Sequence, residues 1–122
     1  MTVTGHLSFE DVLGEHSLDV AELARDIVGL IRSVIPEATE RVYPGWHGIG
    51  FHHPTAGYVC AVFPATDYVR VGFEHGHLLA DPAGAFDPGG KQVRYITVRE
   101  LTADLAARIA GFVDNAVHVQ DR

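Results

Sequence analysis

Apolar residues between Val20 and Val34 recur at the spacing of a single helix face. Val20, Leu23, Ile27, Leu30, Ile31 and Val34 form the stripe, while Glu22, Arg25, Asp26 and Arg32 fall elsewhere. Asp19 and Glu22 stand at capping-box spacing and Leu18 and Leu23 at staple spacing, so this helix is expected to start near Asp19. Pro36 ends it, because a residue before proline is pushed out of the α region. Pro36 also suits the first turn of a short helix over residues 37–42, closed by Pro44-Gly45. A helical turn at 9–13, capped by Ser8 and stopped by Gly14, precedes the long helix, and residues 1–8 read as a loose end.

Beyond Tyr43 the pattern changes to alternation. Residues 46–53 form a glycine-interrupted strand, 58–63 a second and 68–73 a third, separated by proline-bearing turns at 54–57 and 64–67. In the third, Val69, Val71 and Phe73 alternate with Tyr68, Arg70 and Gly72, which is a strand with one wet face. An irregular loop at 80–91 leads to a fourth strand at 92–98. Thr102 caps a last helix with Leu105, Ile109, Phe112, Val113 and Ala116 as its stripe, and 118–122 form a polar tail. Short turns between consecutive strands imply antiparallel pairing. The expected fold is α+β, in the order α-α-β-β-β-β-α, with the helices on one face of a four-stranded antiparallel sheet.

The chain has 122 residues, of which 47% are hydrophobic and 20% charged, so it is read as one globular domain over 1–122 able to bury its own core. A formal net charge of -7 repels phosphate backbones and argues against general nucleic-acid binding. Cys60 is the only cysteine, which excludes an intramolecular disulfide and suits a reducing cytoplasm. The first residues carry neither a basic segment nor a long apolar run, so neither signal peptide nor membrane span is expected.

From Pro36 onward a set of short motifs follows in order: Pro36-Glu37-Ala38, Tyr43-Pro44-Gly45-Trp46, Pro64-Ala65-Thr66-Asp67-Tyr68-Val69 and Val71-Gly72-Phe73. Asp81-Pro82-Ala83-Gly84, Gly90-Lys91 and Arg94-Tyr95-Ile96 complete it. In this order they resemble the bacterial YdhG-like family, a domain of unknown function (number 1801), over about residues 36–117. The loop 85–89 departs from the family's form. The resemblance implies a frataxin-like α+β fold, and some relatives in that family are iron chaperones, so iron or another divalent transition metal is the cofactor it implies.

Three groups of residues carry candidate chemistry. His75 and His77, two apart, share a face if the segment is extended, and His52 ends the first expected strand; with nearby carboxylates such a set suits a transition metal. An ordinary role as polar residues at strand ends and turns competes with that assignment. Pro88-Gly89-Gly90-Lys91 with Arg94, and Arg70 on a neighbouring strand, could bind an anion through backbone N–H groups and cations, although Gln92 after Lys91 rules out a nucleotide-binding P-loop. Some of Trp46, Tyr43, Tyr58, Tyr68 and Tyr95 could line a groove against the outer sheet face or the 78–91 loop, with core packing the competing role, strongest for Trp46; Trp46, Arg70, Lys91 and Arg94 are the candidate ligand-binding residues. Cys60 reads as a buried apolar residue rather than a nucleophile, and no catalytic residue is assigned. The chain is thus expected to be an intracellular binding protein for a metal or a small anion. The alternatives are an enzyme with a histidine general base and an interaction module, such as a homodimer, using the open sheet face.

Overall fold

The computed structural model describes residues 8–43, 45 and 47–120. Two helices, α1 (Phe9–Leu13) and α2 (Leu18–Val34), precede five strands: β1 (Thr39–Tyr43), β2 (Gly48–His53), β3 (Gly57–Pro64), β4 (Val69–Phe73) and β5 (Arg94–Val98). A 3-10 turn at Gly76–Leu78 follows β4, and α3 (Ala103–Gln120) comes last. The fold is α+β. All strands pair antiparallel with their sequence neighbours, in the order β1-β2-β3-β4-β5.

The sheet has five strands rather than the expected four, because residues 37–42 do not form a helix. Thr39, Val42 and Tyr43 are β-forming residues. Extending them lets the segment pair along β2, from Thr39 opposite His52 to Tyr43 opposite Gly48. As a helix, the segment would forgo this ladder, and a helix so short gains little from its own internal bonds. The start of α2 also moves: Ser17, not Asp19, is the N-cap, its hydroxyl accepting from the Val20 amide at 3.2 Å. Ser8 does cap α1, reciprocally with Asp11, and Thr102 accepts from the Leu105 amide at the start of α3. That helix runs through His118, so the polar tail begins later than expected. The loose end expected at 1–8 lies outside the described residues, apart from Ser8.

Side chains of one sheet face line up in rows. Val42, Ile49, Val62, Val71 and Ile96 stand side by side across the five strands. Helix α2 covers this face with Val20, Ala24, Ile27, Val28 and Ile31, and α3 with Ile109, Phe112, Val113 and Ala116. Phe73, fully buried, makes edge-on contacts with Phe86 and Phe112, which themselves stack at 4.6 Å between centroids. This trio ties the sheet, α3 and the long loop after β4 into one core. The loop is held further by Asp81, whose carboxylate accepts from the Ala85 and Phe86 amides, and by Asp87, which accepts from the Thr97 hydroxyl at 2.7 Å. Among the described residues no helix covers the opposite sheet face, and the candidate site lies there.

Candidate functional site on the open sheet face

Three glycines shape the open face. A Cβ on Gly48 would fall 2.5 Å from Phe63 Cδ1, one on Gly50 3.0 Å from Tyr43 Cε2, and one on Gly72 2.8 Å from Tyr95 Cε1. Each glycine therefore lets an aromatic ring lie down on the strand, and the rings cover weak glycine positions in turn. Ala61, between Gly50 and Gly72 in the same row, is fully buried although no helix among the described residues lies over it. The open face is thus floored by small residues and walled by Tyr43, Tyr58, Phe63 and Tyr95.

Tyr58 reaches this face through an irregularity in β3. The β2–β3 register shifts between Phe51 and His52, so that Phe51 pairs with Cys60 but His52 with Tyr58. Val59 is the extra residue. Both Val59 and Cys60 are fully buried, while Tyr58 comes to stand beside His52. Simple alternation would put Tyr58 on the same side as Cys60 and Val62. The bulge turns it outward, a common use of bulges beside functional sites.

Between these rings lies a cavity of about 340 Å³, lined by Tyr58, Phe63, Gly72, Glu74, Val93 and Tyr95. Burial, together with the Glu74 carboxylate and other neighbouring groups, pushes the Tyr58 phenol well above its ordinary range, so it remains a neutral donor at physiological pH. The Arg70 guanidinium carbon sits 4.0 Å from the centroid of the Tyr95 ring, one of the cavity's walls. The volume lies at the small end of the range for ligand pockets, about 300–1,000 Å³, and the lining has the usual make-up of apolar walls and few polar groups.

His52 borders the same face. Its Nε2 is hydrogen-bonded to the Tyr43 hydroxyl at 2.7 Å, and its ring stacks on Tyr58 at 5.1 Å. Burial, and secondarily the Arg41 charge, lower its pKa from the ordinary 6.5. A histidine with a depressed native pKa is protonated more readily in the unfolded chain, so its contribution to stability is present above about 6.5 and declines as pH falls below it. Stability of His52→Gln should therefore fall less between pH 7.5 and 5.5 than that of the wild type, as read from urea midpoints. Equal losses would mean that His52 is not part of the acid response.

The structure separates the residues expected to act together. Arg70 lies in the row of Phe63 and Thr97 on the open face, whereas Arg94 pairs with Phe73 and belongs to the helix-covered side. Arg94 is also committed: its side chain packs over Gly76 and Gly90, and its Nε donates to the Lys91 carbonyl at 2.6 Å. A Cβ on Gly90 would meet the Val93 carbonyl oxygen and Arg94 Cδ, so Arg94 itself fills the space above that glycine. Lys91 is exposed. Trp46 lies outside the described residues.

The histidines do not gather as a set either. His75 and His77 belong to the 3-10 turn rather than a strand, with ring centroids 6.1 Å apart, and the contacts of His52 are with Tyr43 and Tyr58. Sequence reasoning missed a different pair. His16, after α1, and His47, in the turn before β2, bring their Nε2 atoms to hydrogen-bonding distance, 2.6 Å. His47 holds a left-handed φ of 54° there, and its amide donates to the Tyr43 carbonyl. The two are 31 residues apart in the chain, so no local spacing reveals them. Among the described residues no group of three or more His, Cys, Asp or Glu side chains is placed to hold a metal ion.

Cys60 is fully buried, which pushes its thiol far above the ordinary cysteine range. It should resist iodoacetamide in the native protein and react only after denaturation. Rapid native labelling, followed by mass spectrometry, would show a solvent path to the strand.

No family model matches the chain, and no curated protein or solved structure is significantly similar to it. No helix among the described residues is long and apolar enough to cross a membrane.

Proposed function

We propose that this protein binds a small, partly aromatic molecule on the open face of its sheet, between Tyr58 and the Phe63–Tyr95 pair. The observation that carries this reading is the cavity of about 340 Å³ whose floor is Gly72 and whose walls are three aromatic rings. A sheet face needed only for solubility would be polar, and one needed only for packing would be covered. Rings held flat by glycines, with a gap left between them, offer stacking surfaces to a planar guest. Arg70, whose guanidinium lies over the Tyr95 wall, belongs to this reading, while Lys91 and Arg94 do not.

Ligand binding stands ahead of iron handling because, among the described residues, neither the His16–His47 nor the His75–His77 pair has a third ligand, and transition-metal sites draw on three or four protein ligands. Kinship with the YdhG-like family and an intracellular location belong to the same proposal, on the ordered motifs and the lone buried cysteine.

The test is a titration of the isotopically labelled protein with benzyl alcohol and related one-ring compounds, followed by amide NMR shifts. Movement of the Gly72, Glu74 and Tyr95 resonances, saturating with concentration, is the expected result. Shifts scattered over both faces, or none, would defeat the reading.

A further inference from the structure

Along β4 and just past it the open face presents Arg70, then Gly72, then Glu74, at alternate positions. The chain thus sets a cation, a glycine on which the Tyr95 ring lies, and an anion in line. The Cα atoms of Arg70 and Glu74 are about 13 Å apart at the rise of an extended strand. The gap between the charges is shorter, because the Arg70 guanidinium leans onto Tyr95, the residue paired with Gly72. Among the described residues neither Arg70 nor Glu74 makes an ion pair or a side-chain hydrogen bond. The long charged side chains that do pair take other partners, as in Arg25 with Glu10 and Arg32 with Glu40. Arg70 lies on the Tyr95 ring, and among the described residues its N–H donors have no hydrogen-bond partner.

Two opposite charges, Glu74 in the lining of an aromatic-walled cavity and Arg70 on the ring of its Tyr95 wall, unpaired with each other, match a ligand that carries both charges itself. We propose that the ligand of this cavity is a small zwitterion, with its ammonium group toward Glu74, its carboxylate toward Arg70 and an apolar, preferably aromatic, body against the Tyr58, Phe63 and Tyr95 rings. The proposal rests on the cavity being a binding site, as argued above, and adds the chemical class of its occupant. A purely anionic guest would meet the Glu74 carboxylate, and a purely cationic one would meet the Arg70 guanidinium.

The experiment uses three probes of one shape: 4-(aminomethyl)benzoate, benzylamine and benzoate, with benzyl alcohol as the uncharged reference. Affinities come from the saturating shifts of the Gly72 and Tyr95 amides. The zwitterion is expected to bind at least about fivefold more tightly than either singly charged probe. Arg70→Gln should erase its advantage over benzylamine, and Glu74→Gln its advantage over benzoate. Both positions retain some exposure, and an unchanged wild-type spectrum elsewhere verifies that the variants fold. Equal affinity for all charged probes, or an advantage that survives both substitutions, overturns the zwitterion while benzyl alcohol binding keeps the cavity. If no probe moves Gly72 or Tyr95 in the wild type, both the zwitterion and the cavity reading fall.

Discussion

Phe73→Ala should cost about 3–5 kcal/mol of stability, the usual result of emptying a fully buried aromatic position. For a chain of this size that corresponds to a fall in Tm on the order of 10–20 °C. Phe73 has no exposed surface and touches Phe86 from the loop after β4 and Phe112 from α3. Its loss leaves a void where three parts of the chain meet, and Phe86 and Phe112 can close it only by pulling the loop from the edge of β5. Phe86→Ala, at a half-buried position, should cost less. The double substitution should cost less than the sum, because both remove the same contact. Urea denaturation followed by far-UV circular dichroism measures all three. A cost below about 1.5 kcal/mol for Phe73→Ala would show that the trio is not what fastens the loop.

Gly72→Val should abolish ligand binding while leaving a folded protein. The new Cβ would lie 2.8 Å from Tyr95 Cε1 and 3.1 Å from Cδ1, so the ring must leave the floor. The obstacle is a movable side chain and valine is a good strand residue, so the stability cost should stay near the low end of the usual 1–3 kcal/mol for overpacking. The cavity has no such latitude: a lifted Tyr95 and two added methyl groups occupy the space of the guest. A loss of at least about tenfold in probe affinity is expected, with Gly72→Ala between it and the wild type. Wild-type affinity in Gly72→Val would place the ligand somewhere else.

Periodicity identifies α2 and α3 because each is long and buries one face, which makes the stripe statistically plain. It fails at β1. That strand lies at the sheet edge, and Glu40 and Arg41 leave no clean alternation between a dry and a wet side. The proline before it suggests a helix start equally well. The aromatic wall is legible in part, since Tyr58 and Tyr95 stand in strand-like segments. The bulge that turns Tyr58 outward is not: Tyr58 to Phe63 looks regular in sequence, and the extra residue appears only when β3 is aligned with β2. The pairing of Arg70 with Arg94 fails for a related reason. Which face a residue of β5 takes depends on its register against β4, and the 20 residues between Phe73 and Arg94 impose none. His16 and His47 meet only because the α1 end and the turn before β2 are folded together, which is tertiary information.

The strand order has a consequence for the newly made chain. Each strand finds its partner next to it in sequence, so the sheet can zip up hairpin by hairpin as synthesis proceeds. The helix that covers Phe73 and Phe86 comes last, over residues 103–120. At roughly 5–20 residues per second, a ribosome would hold a nearly complete sheet with part of its apolar side bare for a second or more. That interval is when this protein is most open to chaperone capture and self-association, and a stalled ribosome short of residue 103 would prolong it.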